Sequence, residues 1–444
     1  MNKIHRSLLL LIFTTSLFSI SCRKFLEESP YDTIPDENTI YDKSSAEAAV
    51  RGAYRSLASL NYSSGFQNTI LQSGGDIKSL NNAQTDLNVI NYDLRSDIAF
   101  LSTYWGNFYN TINRANHVIE KLPIVNDIKL STVLKDQLLG EAYFIRAISY
   151  FDLARTFGNV QIFLTPTKVV EDKFNVKQST QAEVYNQVLS DLNKAEPLLP
   201  VTVLRNRVAR STVNALRARL YLYTKKYAEA EADASIVIGN AAYKLIKPFA
   251  LAAGTTESVL ELSYSVNDVN AGYAQWNTSN RALEPKAVIH NLLNDPAVGG
   301  DRKLLSVKNS SGQFIGGIYP TNTSAAYLIR TAEIYLIRAE ARTLKTSPDL
   351  QGAIDDVNAV RLRANVPALP NTLTKEDILL VIENERRVEF ALEPFRWFDI
   401  VRTGRAAAVF NLNDPDKYIF PIPAGEILAD KSKSLNQNPG YGKN

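Results

Sequence analysis

The chain has 444 residues, of which 45% are hydrophobic and 21% are charged, and its formal net charge is +3. This length can bury a large core, and the near balance of acidic and basic residues gives no electrostatic case for binding nucleic acid. Cys22 is the only cysteine, which excludes an intrachain disulfide and a cysteine-rich metal site. No linker-like stretch divides the sequence, so we expect a single domain over residues 22–444.

The first 21 residues have the pattern of a secretory signal peptide. Lys3 and Arg6 give a basic start, residues 8–13 form an apolar run, and residues 19–21 form a small-residue cleavage site before Cys22. A lone cysteine in this place is typical of a bacterial lipoprotein, in which the thiol and then the amine are acylated. We therefore expect residues 1–21 to be removed and Cys22 to carry the several acyl chains that stable anchoring needs. The alternative is a plain signal peptide followed by an incidental cysteine.

Most of the remaining sequence has the periodicity of amphipathic helices. Residues 61–98 are an exception, because they are rich in Ser, Asn, Gly and Asp, and we predict that they form a loop. Helices are expected over residues 104–122, from Leu138 onward, over 375–393 and around 397–402. Capping boxes are expected at Ser44 with Glu47, at Thr180 with Glu183 and at Thr374 with Asp377.

Two stretches read as the same antiparallel helix pair. Residues 325–363 break at 345–348, where we expect Ser347 to cap the second helix. Residues 213–238 align with them and place alanines where two helices must approach closely. A weaker third copy begins at Leu138 and is separated from its partner helix by an insertion. The predicted fold is therefore all-α, a tetratricopeptide-like helical-repeat scaffold with long loops.

The region of about residues 247–320 differs from the rest and reads as a short irregular or β insertion between repeats. Leu260, Leu262, Tyr264 and Val266 alternate with polar residues, which predicts a half-buried strand over residues 260–266. A polar and aromatic stretch at 267–281 follows it. Insertions in repeat folds commonly map to one binding face.

Seven blocks in the expected order resemble the SusD/RagB family, the SusD-like outer-membrane nutrient-binding lipoproteins of Bacteroidetes. The blocks are residues 22–27, 105–116, 146–163, 332–341, 353–364, 383–402, and 420–427 with 437–441. The chain departs from the family pattern at 393–396, where Glu-Pro-Phe-Arg replaces the usual Glu-Gly-His-Arg. Its variable insertion is also short for the family, and that region contributes to the ligand site.

The resemblance implies a non-catalytic lipoprotein on the outer face of the outer membrane. Such a protein is seated on a SusC-like TonB-dependent transporter and holds a glycan oligomer, or in some members a peptide, until uptake. The resemblance implies no enzyme activity and no cofactor.

Ligand-binding residues are expected in two segments. Sugar binding needs flat apolar surface for the C–H faces of pyranose rings, together with amides or carboxylates for the hydroxyls. Trp105 and Trp397 lie inside blocks that the family uses as scaffold, which leaves Trp276, with Tyr273 and Asn277 beside it, as the first candidate site. The resemblance implies a second one, because the corresponding family region approaches the ligand; its candidate residues are Tyr62, Phe66, Asp76, Asn81 and Asn82.

Glu385 and Glu389 lie one helical turn apart on an otherwise apolar stripe, as an acid/base pair of a lipid-anchored glycoside hydrolase would. We favour a structural role for them, with arginines as partners, and the candidates are Arg361, Arg363, Arg386, Arg396 and Arg402. His117 and His290 show no metal-binding spacing, and we expect no metal site. A third hypothesis is a periplasm-facing repeat scaffold that binds only protein.

Overall fold

The computed structural model describes residues 39–59, 65–81, 83–278 and 280–442, and these residues are mostly helical. Cys22 and the predicted signal peptide lie outside them. The α-helices are α1 (Lys43–Leu57), α2 (Gln67–Ser73), α3 (Gln84–Ile90), α4 (Ala99–Lys121), α5 (Thr132–Phe157), α6 (Gln181–Ala195), α7 (Arg210–Tyr223), α8 (Tyr227–Gly239), α9 (Ala271–Asn277), α10 (Ala287–Asn294), α11 (Thr331–Leu344), α12 (Leu350–Arg363), α13 (Lys375–Glu389), α14 (Arg396–Arg402), α15 (Ala406–Phe410) and α16 (Ala424–Ala429).

Short strands form antiparallel pairs, and four of the eight described strands lie in the insertion. The strands are β1 (Ile77–Ser79), β2 (Val160–Gln161), β3 (Gln178–Ser179), β4 (Ser258–Leu262), β5 (Leu283–Pro285), β6 (Ser306–Lys308), β7 (Phe314–Gly316) and β8 (Ala326–Arg330). β1 pairs with β5, β2 with β3, β4 with β8 and β6 with β7. The predicted strand at 260–266 is shorter than expected and is buried on both faces rather than one.

The predicted helical repeats are confirmed. α5 packs on α6, α7 on α8, and α11 on α12, while α1 packs on α4 at the start of the stack. Successive pairs are joined by contacts of α4 with α5, α6 with α7, and α8 with α11. Ala218, Ala230, Ala341 and Ala353 are fully buried, as close packing of helices within a repeat requires.

An arginine–aspartate pair joins the two helices in each of three repeats. In every case Nε and Nη2 of an arginine on the first helix donate to both carboxylate oxygens of an aspartate on the second. The pairs and their distances are Arg146–Asp191 at 2.8 and 2.7 Å, Arg217–Asp233 at 2.7 and 2.9 Å, and Arg338–Asp356 at 2.9 and 2.6 Å. This bidentate geometry fixes the relative placement of the helices as well as neutralising the charges.

Some helix ends differ from the predictions. Asp349, not Ser347, caps α12, since its carboxylate accepts from the Gly352 amide at 2.9 Å directly before the first helical residue. α1 is capped by Asp42 with Ser45 rather than by Ser44 with Glu47. The capping boxes at Thr180 and Thr374 are confirmed. α13 ends at Glu389, four residues earlier than predicted, and residues 326–330 form a strand rather than helix.

Trp105 and Trp397 are core residues, as predicted, with 3% and 2% exposure. Trp105 meets Phe157 edge to face, and Trp397 stacks with Tyr92. Among the described residues, none of the helices combines the length and the apolar composition that a membrane-spanning helix needs.

Candidate ligand-binding surface

Glu385 and Glu389 lie inside the scaffold, at 2% and 0% exposure, and both are bonded to arginines. Arg302 bridges them, since it pairs with Glu385 and donates to Glu389 at 2.7 Å. Glu385 also accepts from Arg361 at 3.0 Å. Glu389 accepts at 2.6 Å from Arg363 and at 2.9 Å from Arg330. Pairing with buried arginines, the structural role predicted for the two carboxylates, is confirmed.

The network is completed by Glu257 and Glu393, which bind Arg330 at 3.2 and 2.6 Å. Four glutamates thus face four arginines with no net charge, as burial of ionised groups requires. Burial alone would raise the pKa of the Glu389 carboxyl, but the three surrounding guanidinium groups lower it to about 2. The Glu389 carboxyl, held ionised by three arginines, has neither solvent access nor a proton to give. Glu385 is buried beside it between Arg302 and Arg361.

The predicted arginine partners were partly wrong. Arg361 and Arg363 belong to the network, whereas Arg386 and Arg402 bind Asp399 and Arg396 binds Asp76. Arg302 and Arg330 were missed. They precede Glu385 by more than fifty residues, and nothing in their local sequence separates them from surface arginines.

Trp276 does not offer its ring to a ligand, because only 1% of the residue is exposed. It lies on α9, not in a loop, and the β6–β7 hairpin covers it. Asn277 is also committed, since its Nδ2 donates to the Tyr319 carbonyl at 2.8 Å. Tyr273 is half-buried and packs against the core. The expectation of an exposed tryptophan platform is therefore wrong. Of the three residues predicted for this site, only Tyr273 is still a candidate for contact with a ligand.

The second predicted segment is also more buried than expected. Phe66 is a core residue at 2% exposure and packs edge to face on Tyr104 and Phe108. The carboxylate of Asp76 accepts from Arg387 at 2.9 and 2.6 Å and from Arg396 at 2.9 Å. Phe66 and Asp76 therefore hold the segment on the scaffold. Tyr62 and Asn82 lie outside the described residues.

The structure brings the two predicted segments together through the pairing of β1 with β5. The register places Ile77 opposite Pro285 and Ser79 opposite Leu283. The pairing extends one residue beyond the strands, since the Leu80 amide donates to the Ala282 carbonyl at 2.7 Å. Asn81 follows and is exposed. The Ala282 amide in turn donates to Gln275 of α9 at 3.1 Å.

We use the name β1–β5 surface for the exposed residues Lys78, Leu80, Asn81 and Leu87 together with the half-buried Tyr273. Leu80 and Leu87 are 36% and 43% exposed, which gives apolar area beside the polar groups. Sequence reasoning missed Leu87 because residues 61–98 were expected to form a loop, whereas α2 and α3 lie within them. A periodic apolar signal is weak in helices of only seven residues each.

His290 is part of the packing of the β6–β7 hairpin. His290 stacks on Phe314 with ring centroids 4.2 Å apart, its Nδ1 lies 2.9 Å from the Ser306 hydroxyl, and burial lowers the pKa of its ring. Over the described ranges, no group of three His, Cys, Asp or Glu residues is arranged to hold a metal ion.

These features define a class of protein: a tetratricopeptide-like helical stack that carries a small, irregular exposed surface on a charge-neutralised core. Two family models match the chain. One, SusD-like and described as starch-binding and associating with the outer membrane, matches residues 24–222; the other, described as the SusD family, matches residues 302–415. The chain belongs to the SusD/RagB family.

Relatives match nearly end to end at low identity. SusD-like protein P2 of Formosa agariphila is 23% identical, with 94% of this chain and 96% of that protein covered. A SusD-like protein of Bacteroides ovatus is also 23% identical, with 89% and 82% covered.

Solved structures share the fold. A laminarin-binding SusD-like protein superposes with a TM-score of 0.73 at 24% identity, covering 90% of this chain and 100% of that one. A SusD superfamily protein of Bacteroides vulgatus gives a TM-score of 0.77 at 21% identity, covering 90% and 99%.

Proposed function

We propose that this protein is a non-catalytic cell-surface lipoprotein that captures a glycan oligomer and delivers it to a SusC-like TonB-dependent transporter. Family membership supports the proposal, since one matching model is described as starch-binding and associating with the outer membrane. A structural neighbour is named as laminarin-binding. The lipid anchor would be Cys22, directly after the predicted signal peptide.

The observation that carries the proposal is the way the β1–β5 surface is fastened to the scaffold. Asp76 precedes β1, and Arg387 and Arg396 clamp its carboxylate. Its carbonyl also accepts from the Lys286 amide at 2.8 Å, directly after β5. A surface held at both strands by buried bonds loses little conformational freedom when a ligand binds, which favours affinity.

The non-catalytic part of the proposal is supported by the arginine network. Glu385 and Glu389 were the strongest acid/base candidates in the sequence, and each of their carboxylates is occupied by arginines. This removes the observation that favoured a glycoside hydrolase. A peptide ligand, which some family members take, is an outcome that the binding experiment would reveal.

Glycan binding is tested by affinity electrophoresis of residues 23–444 in gels that contain laminarin, starch or other neutral glucans. We expect retention by one of them and a clear loss of retention in the Asn81→Ala/Tyr273→Ala double variant. The matched control is Asn371→Ala/Tyr41→Ala, which removes the same side chains outside the β1–β5 surface. If the protein were retained only on immobilised peptides, the ligand would be a peptide and not a glycan. Retention on neither glycans nor peptides would contradict the proposal.

Location and partner are tested on intact cells. A surface lipoprotein would be degraded when protease is added outside, and it would co-purify with a barrel transporter from detergent-solubilised membranes. The Cys22→Ala variant should lose membrane association while its folded domain persists. Survival under external protease would favour the periplasmic scaffold instead.

A further inference from the structure

A groove lies on the face of α4 that is turned away from Phe66. Tyr104 and Phe108 of α4 contact Phe66 on one side of the helix. Gly106 and Asn110 lie on the opposite side, since two residues along a helix correspond to about 200° of rotation. There, α4, the extended chain after β2 and the start of α16 enclose a cavity of about 310 Å³. We call it the α4 groove, and its volume is within the range of small-molecule sites.

The walls of the α4 groove are preformed. The side chain of Asn113 on α4 makes two hydrogen bonds with the backbone of Thr167. Its Oδ1 accepts from the Thr167 amide at 2.7 Å, and its Nδ2 donates to the Thr167 carbonyl at 3.3 Å. Asn116 donates to the carbonyls of Phe163 and Thr165, both at 3.0 Å. The Tyr109 hydroxyl donates to the Gln161 carbonyl at 2.9 Å. The extended segment is therefore fastened to the helix along its length.

Aromatic and polar groups converge on this cavity. Tyr109 and Phe163 meet edge to face with centroids 5.6 Å apart, and both residues are partly exposed. The side chains of Asn110, Lys173 and Glu426 line the same cavity. Within the described chain, none of these three side chains makes a hydrogen bond or a close ion pair. Burial raises the pKa of the Glu426 carboxyl, although Lys173 opposes this effect.

We propose that the α4 groove is a second carbohydrate subsite, which takes one neutral pyranose unit. Tyr109 and Phe163 would offer apolar ring surface to the C–H face of the sugar. The Asn110 amide, the Lys173 ammonium and the Glu426 carboxylate would bond its hydroxyl groups. One positive and one negative side chain suit a neutral ligand better than an anionic one. The choice of ligand class rests on the function proposed above, but the site itself does not.

Gly106 provides the sharpest test of this subsite. It lies inside α4, and a β-carbon built there meets no heavy atom within 4 Å. Glycine within a helix is unfavourable relative to alanine, so Gly106→Ala should raise the melting temperature slightly. Gly106→Phe would place a ring over the cavity without clashing with the scaffold at its β-carbon.

The experiment is isothermal titration of residues 23–444 with neutral hexasaccharides of β-1,3- and α-1,4-linked glucose. We expect two sites per chain, of which Gly106→Phe removes one. Glu426→Gln should weaken that site by about tenfold, the loss expected for a charge-assisted hydrogen bond. Gly106→Ala and Glu171→Gln, an exposed neighbour outside the groove, should keep both sites.

The outcomes separate this inference from the proposed function. A single site that is lost in Asn81→Ala/Tyr273→Ala and unchanged in Gly106→Phe would overturn the subsite and leave the proposed function standing. Sites unaffected by both Gly106→Phe and Glu426→Gln would also overturn it. Binding that Gly106→Phe reduces while Gly106→Ala preserves it would establish the groove as a site. Absence of any binding by the unmodified chain would contradict both.

Discussion

Gly316 of β7 lies directly against the indole of Trp276. A β-carbon at residue 316 would be 2.3 Å from Cε3 of the ring, which is closer than any real contact. Because residue 316 has no side chain, the β6–β7 hairpin can close over α9 and bury the ring. This contact is the reason that Trp276 is part of the core.

Gly316→Ala should therefore destabilise the protein. The methyl group must displace either the hairpin or the indole, and overpacking of this kind costs about 1–3 kcal/mol. Urea denaturation of the variant would measure the free energy of unfolding. Gly239→Ala is the control, because a β-carbon there meets nothing within 4 Å. Equal stability of the two variants would mean that the hairpin does not rest on Trp276.

Trp276→Ala should lower the free energy of unfolding by about 3–5 kcal/mol, as expected when a large buried aromatic side chain is removed. Weakened glycan retention in this variant would then report lost structure rather than a lost contact. Circular dichroism and thermal melting of the same preparation separate the two effects. Wild-type stability combined with lost retention would restore a direct ligand role to Trp276.

Glu389→Gln should cost about 3–5 kcal/mol, because it leaves buried arginines without their balancing charge. Glu376→Gln is the matched control on the same helix; Glu376 is exposed, and its replacement should change stability by less than about 0.5 kcal/mol. Chemical denaturation of both variants gives the comparison. A Glu389→Gln variant as stable as the control would show that the network does not support the fold.

Asp430 should make stability depend on pH in the acidic range. Partial burial alone would raise the pKa of its carboxyl, but hydrogen bonds from Ser432, Leu435 and Ser434 lower it from 3.8 to about 2. The folded state thus binds the proton more weakly than the unfolded state. The stabilisation is complete above about pH 4 and is lost as the pH falls towards 2.

The corresponding measurement is thermal melting of Asp430→Asn beside the unmodified chain between pH 6 and pH 3. The difference in melting temperature between the unmodified chain and Asp430→Asn should be constant near pH 6. It should become smaller as the pH falls towards 3. A difference that widened on acidification would reverse the sign of the proposed linkage.

The repeat scaffold could be predicted because its signal is local. Apolar periodicity and closely spaced alanines indicated α7 with α8 and α11 with α12. The aspartates that pair across the repeats also had a signal that sequence reasoning overlooked. Asp233 and Asp356 each follow a buried alanine, Ala230 and Ala353, by three residues and occupy equivalent positions in their repeats.

The ligand surface was harder to predict because burial there depends on distant chain segments. The stretch around Trp276 is polar, so the sequence indicated an exposed loop. The hairpin that covers the ring begins thirty residues later, at β6, and no local pattern connects the two. Asp76 likewise looks like a free loop carboxylate until Arg387 and Arg396 are brought against it, more than three hundred residues along the chain.

In the function proposed above, the protein holds an oligosaccharide and does not cleave it. One titration tests both parts: residues 23–444 are titrated with neutral gluco-oligosaccharides, and the sugar is recovered after prolonged incubation and sized by chromatography. We predict saturable binding and recovery of the oligosaccharide at its original length. Shortened products that persist in Asn371→Ala/Tyr41→Ala and disappear in Glu385→Gln would contradict it, as would the absence of binding.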